Sequence, residues 1–112
     1  MTNQIDYIEF PADTVEKVSA SRDFFTKAFG WRYKQWGEEY VDTQDSGITS
    51  GVSISEPSAA PLAVIRTTDI KATYDEVLAA GGTITKEIFS FPGGQRFHFI
   101  EPAGNELAVW SE

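Results

Sequence analysis

Cysteine is absent from the 112 residues of this chain, and histidine occurs once, at His98. The first absence excludes disulfides, thiolate metal sites and cysteine nucleophiles together, so a metal would have to be held by His, Asp or Glu. Basic residues are scarce as well. Nine of them stand against seventeen acidic residues, and a formal net charge of −8 opposes binding to a phosphate backbone. Nucleic acid is therefore not an expected partner; the acidic surface reads either as a solvated, solubilising face or as a preference for cationic or neutral ligands. No apolar run approaches the ~20 residues of a membrane span. Met1-Thr2-Asn3-Gln4 has neither the basic start nor the apolar run of a signal peptide. The expectation is a cytoplasmic protein with no membrane partner. Neither a phosphate loop nor a nucleophile elbow occurs, which leaves hydrolysis and phosphoryl transfer without a motif.

What is present suits one domain over residues 1–112, since a chain of this length buries roughly 65% of its unfolded surface. Ile5 to Phe10 alternates as a strand, with Asp6, Ile8 and Phe10 pointing one way and Ile5, Tyr7 and Glu9 the other. Pro11 ends it. Asp13 followed by Glu16 resembles a capping box and allows a helix from Thr14, with Ser19 or Ser21 as later starts. Val18, Phe24, Phe25, Ala28 and Phe29 form an apolar stripe, and Gly30 is a natural helix stop. Strands are predicted over Trp31 to Trp36, Glu39 to Thr43 and Ile48 to Ser55, with turns at Gly37 and Asp45-Ser46-Gly47.

After a short linker, Glu56-Pro57-Ser58-Ala59-Ala60, the order recurs. Pro61 to Thr67 reads as a strand. Asp69 caps a helix whose apolar face is Ile70, Tyr74, Val77 and Leu78 and which stops at Gly81-Gly82. Strands follow at Thr83 to Phe89, Gln95 to Glu101 and Glu106 to Ser111, with Gly93-Gly94 read as a turn because it is too short to cradle a phosphate. The predicted class is α+β: two βαβββ modules, about 4–56 and 61–112, forming a cupped mixed β-sheet with helices on its outer face.

The chain resembles the vicinal oxygen chelate superfamily, which includes glyoxalase I, extradiol dioxygenases, fosfomycin-resistance proteins and bleomycin-binding proteins. The resemblance rests on Ile8-Glu9-Phe10-Pro11-Ala12-Asp13, on Phe24-Phe25 through Phe29-Gly30-Trp31, on Thr68-Asp69-Ile70 through Ala79-Ala80-Gly81-Gly82, and on Glu101-Pro102-Ala103-Gly104-Asn105. It implies a small molecule held in a cup, usually through a divalent metal. The family's ligand positions fall here on Tyr7, Leu62 and Ala108, and Ile48 to Ser55 supplies neither carboxylate nor imidazole. Leu62 and Ala108 have no donor atom, so neither a metal nor another cofactor is expected and the resemblance narrows to the metal-free branch.

By the same resemblance the ligand would meet Tyr7, Glu9, Leu62, Arg66, Arg96, His98, Glu106, Ala108 and Trp110, with Val64 in the floor and Phe97 and Phe99 beneath the second helix. Trp36 reads either as a packing or dimer-contact residue or as a roof over the cup. His98 is the best catalytic candidate, though a lone histidine is as readily a hydrogen-bonded strand residue. Three functions stay open: a binding protein for an aromatic or cationic molecule, a lyase or isomerase using His98 as acid or base with Glu9 or Glu106 orienting it, and a structural or regulatory dimer with a filled cup. A homodimer is expected, because a short chain with Trp and Phe at its strand ends gains burial by pairing.

Overall fold

The computed structural model describes residues 3–54 and 60–112. Among them are β1 (Gln4–Pro11), α1 (Val15–Phe29), β2 (Lys34–Trp36), β3 (Tyr40–Thr43), β4 (Thr49–Ser53), β5 (Leu62–Arg66), α2 (Ile70–Ala79), β6 (Thr83–Phe91), β7 (Gly94–Ile100) and β8 (Glu106–Ser111). The order is βαβββ twice, the α+β arrangement that the sequence predicts. Ser55 and most of the proposed linker, Glu56 to Ala59, lie outside the described residues. Two compact units emerge: Tyr7–Leu62, and a second that joins the residues up to Asp6 to Ala63–Glu112.

In the Tyr7–Leu62 unit the strand order is β2-β3-β4-β1, antiparallel except for the parallel β1–β4 pair. α1 starts one residue later than the Asp13–Glu16 box suggests. Thr14 is the cap, its extended backbone aiming the hydroxyl at the Lys17 N–H, 3.1 Å away. Asp13 instead pairs with the Lys17 ammonium at 3.0 Å. Gly30 closes the helix in the left-handed region at φ 76°. Val18 is fully buried against Val41 and Val52, with Phe10, Ala12, Tyr33 and Ile54 around them. The rest of the predicted stripe is not core: Phe24 and Phe29 are each 61% exposed within a group of rings that includes Phe25 and Trp31. β2 is shorter than Trp31 to Trp36 because the backbone before it bonds elsewhere. The Trp31 carbonyl accepts from the Thr26 hydroxyl at 2.7 Å, and the Arg32 N–H donates to Asp45 at 2.8 Å.

In the other unit β5, β8, β7 and β6 lie in that order, parallel between β5 and β8 and antiparallel thereafter. Asp69 caps α2 as the sequence predicts, accepting from the Ala72 N–H at 3.1 Å. Ile70, Tyr74 and Val77 pack on Phe97, Phe99 and Val109. Leu78, predicted on the same face, is 48% exposed instead. β6 runs to Phe91, two residues past its predicted end, so that the turn to β7 falls at Pro92-Gly93. Gly94 is the first residue of β7, where a Cβ would lie 2.0 Å from the Ser111 carbonyl oxygen. The β7–β8 turn is held by Glu101, whose carboxylate accepts from the Ala103 N–H at 2.7 Å, the Asn105 N–H at 3.2 Å and the Asn105 amide.

Candidate functional site

Strand register arranges the second module's face in rows. Val64 pairs with Ala108 and Ala108 with His98; one step along, Arg66 pairs with Trp110 and Trp110 with Arg96. Val64, Ala108 and His98 are 2%, 0% and 4% exposed, so the middle row is sealed. Alternation sends Phe97 and Phe99 to the opposite side, under α2, as the resemblance implies, and Val109 of β8 packs with them. The two rows thus bring together five predicted site residues, Arg66, Arg96, His98, Ala108 and Trp110, and a sixth, Glu106, approaches His98.

Both nitrogens of His98 face protein groups. Arg96 Nε donates to Nε2 at 3.1 Å, which puts the imidazole hydrogen on Nδ1, and Glu106 Oε2 lies 3.5 Å from Nδ1. Thr85 in turn donates to Glu106 Oε2 at 3.3 Å. Burial, and next the Arg96 charge, hold the imidazole below its ordinary value of 6.5; Glu106 opposes them without prevailing. The ring is therefore neutral at physiological pH. Phe89, itself under the Lys86 ammonium, lies 6.2 Å from it, centroid to centroid.

Trp110 anchors the next row. Its indole N–H donates to Asp6 at 3.1 Å, the Arg66 guanidinium sits 5.1 Å from its ring centre, and Phe91 is 6.5 Å away. Arg66 pairs with Glu112 at 2.6 Å. Asp6, Thr85, Lys86, Phe89 and Phe91 were not predicted as site residues. For the four β6 residues the reason is physical: register shifts between Ile84 and Lys86 and between Lys86 and Phe89 break the alternation that would have assigned them a side.

Tyr7, Glu9, Trp36 and Leu62 belong to the other unit. The Tyr7 and Tyr40 hydroxyls are 2.5 Å apart, and Tyr40 donates to Asp42 Oδ2 at 3.2 Å. Burial is the main cause that raises both phenols well above 10.0, and the charge of Glu9 adds to it. Gly51 stands between Glu9 and Asp42 in the register. A Cβ there would meet Tyr7 Oη at 2.0 Å, so the phenols lie over bare backbone. The sequence carried a signal for Tyr40 and Asp42, two polar residues at strand spacing, but none for their junction with Tyr7. Trp36 is 50% exposed beneath the Lys34 ammonium, and Leu62 is 1% exposed. A shallow groove of about 340 Å³ is lined by Arg32, Lys34, Asp42, Thr43, Gln44 and Asp45, none of them predicted.

The donor set does not fit a divalent metal at the positions that the resemblance names. Leu62 and Ala108 are buried hydrocarbon, and Tyr7 is a phenol held protonated. Among the described residues no group of three His, Asp or Glu is placed to share a cation. No helix of the described residues is long and apolar enough to cross a membrane.

A glyoxalase/bleomycin resistance protein/dioxygenase superfamily member from Vibrio splendidus superposes with a TM-score of 0.73 at 16% identity, covering 95% of this chain and 97% of that one. A structure described as an NAD-dependent benzaldehyde dehydrogenase from Legionella pneumophila gives 0.76 at 10% identity, covering 94% and 96%. The Mn(II)-bound glyoxalase from Novosphingobium aromaticivorans gives 0.70 at 18%, covering 98% of this chain and 39% of that one. At these identities the likeness is one of fold. No curated protein sequence matches the chain. The family model for the glyoxalase/bleomycin resistance protein/dioxygenase superfamily matches residues 4–109, and the chain belongs to that superfamily.

Proposed function

We propose that this chain is a metal-independent, cytoplasmic small-molecule-binding protein of the superfamily, with Arg66, Arg96, His98 and Trp110 on its ligand-facing side. The observation that carries the reading is the state of His98. Arg96 already donates to one ring nitrogen and Glu106 faces the other, so the chain's sole imidazole is a fixed, neutral part of a wall. A general base needs a free lone pair aimed at its substrate, and Nε2 has given that lone pair to Arg96. Donorless Leu62 and Ala108 support the metal-independent part. Half-buried Trp110 and Phe91 offer ring faces for an aromatic group.

Native mass spectrometry of protein purified without added metal tests this. A co-purifying organic molecule with substoichiometric metal supports the proposal; one equivalent of Zn, Ni, Mn or Fe overturns it. The rival lyase or isomerase reading draws on the Glu106–His98 pair. Its mark would be a pH-dependent turnover abolished in His98→Gln while the fold persists. Two copies pair in our reading, and exposed Phe24 and Phe29 supply apolar surface for the contact. Light scattering that shows a monomer at all concentrations removes that part.

A further inference from the structure

Counting hydrogens along β1 and β3 gives the Tyr7–Tyr40–Asp42 chain a direction. A phenol has one hydrogen to donate. Tyr40 gives its hydrogen to the Asp42 carboxylate, 3.2 Å away, the stronger acceptor of its two neighbours. The hydrogen between the two phenols, 2.5 Å apart, therefore comes from Tyr7. Burial, with the nearby charges of Asp42 and Glu9, keeps both phenols protonated at neutral pH. Tyr7 Oη is left with lone pairs alone, and Asp42 also only accepts.

This cluster sits over the bare backbone of Gly51. Gly51, between Glu9 and Asp42 in register, leaves the space into which both hydroxyls turn; a Cβ would stand 2.0 Å from Tyr7 Oη and 3.0 Å from Tyr40 Oη. Tyr7, Tyr40 and Asp42 are half-buried rather than sealed, so a ligand atom can reach them. A carboxylate or phosphate would set its lone pairs against theirs and its charge against Asp42. A group made only of donors and carrying positive charge has the opposite fit, and phenol rings add attraction for such a cation.

We propose that the Tyr7–Tyr40–Asp42 chain recognises the ammonium group of a protonated organic amine. The proposal rests on the reading of the chain as a small-molecule-binding protein and names the class of ligand. Isothermal titration of the full chain at neutral pH with benzylamine, benzyl alcohol and phenylacetate tests it, since the three differ in charge and donors on a similar ring. Benzylamine is expected to bind, and more tightly than the other two. Tyr7→Phe and Asp42→Asn are each expected to weaken benzylamine by about tenfold, the worth of a hydrogen bond to a charged group. If Tyr7→Phe does not fold, Asp42→Asn carries the test. A folded variant of either kind that binds benzylamine as the parent does overturns the proposal. Phenylacetate binding more tightly than benzylamine overturns it too, while leaving the small-molecule reading intact. Failure of all three probes at millimolar concentration also overturns it, and the co-purifying ligand then decides the broader reading separately.

Discussion

Arg96 Nε donates to His98 Nε2 across 3.1 Å, from two residues away on one strand, and the bond decides which imidazole nitrogen carries the hydrogen. Protonating His98 would place a hydrogen on Nε2, facing the Arg96 donor, and a second positive charge beside the first. The structure thus opposes the charged ring.

The pH dependence follows with a definite sign. In the unfolded chain His98 titrates near 6.5, and folding lowers that value. Above 6.5 the ring is neutral in both states and has no effect. As pH falls from 6.5 through the lower folded value, the unfolded state binds the proton first and stability is lost. Urea denaturation at a series of pH values is expected to show this loss in the parent protein and a flatter profile in His98→Gln over the same window.

Glu101 acts lower on the scale. Its carboxylate accepts from the Ala103 N–H, and Asn105 adds further donors, which lowers its value from 4.5. Its contribution is present above 4.5 and is lost as pH falls through the folded value. Glu101→Gln is expected to remove that acid dependence and to loosen the β7–β8 turn, seen as faster amide exchange at Ala103 and Asn105.

Gly51→Ala tests the close approach of the two phenols. The added methyl would lie 2.0 Å from Tyr7 Oη and 2.7 Å from Tyr40 Cε1. Overpacking of this kind costs about 1–3 kcal/mol, read by chemical denaturation. Tyr7→Phe added to Gly51→Ala removes the nearest clashing atom and is expected to restore part of the loss. A double variant no more stable than Gly51→Ala would show that the strain lies elsewhere.

Exposure separates two phenylalanines that composition treats alike. Phe97 is 0% exposed beneath α2, and Phe97→Ala is expected to cost about 3–5 kcal/mol. Phe24 is 61% exposed, and Phe24→Ala is expected to change the monomer's stability by less than about 0.5 kcal/mol. If two copies pair through that surface, the dimer dissociation constant, measured by light scattering, rises instead.

Much of the fold was legible in the sequence. Asp69 caps α2, Gly30 ends α1, and alternation along β7 puts Phe97 and Phe99 on one side and Arg96 and His98 on the other. Those features depend on residues close together in the chain, where local geometry allows few solutions. The misreadings have physical causes too. Thr14 displaced Asp13 as cap because its hydroxyl reaches the Lys17 N–H, and β2 lost its first residues to bonds with Thr26 and Asp45.

The periodic pattern, the caps and the turn residues were enough to specify two βαβββ modules, and the absence of cysteine excluded thiolate and disulfide chemistry, whereas the facing of β7 and β8 was what the family resemblance implied. Hydrophobic alternation and backbone satisfaction act over a few residues, so one strand at a time reveals them. Partner choice was another matter. Tyr7 and Tyr40 are 33 residues apart, and Asp6 and Trp110 are 104 apart. Their pairing depends on strand order and register, and no local rule ties one to the other. His98 illustrates both sides: its face was what the family resemblance implied, whereas its neutral state needed Arg96, Glu106 and the sealed row of Val64 and Ala108 to be in place around it.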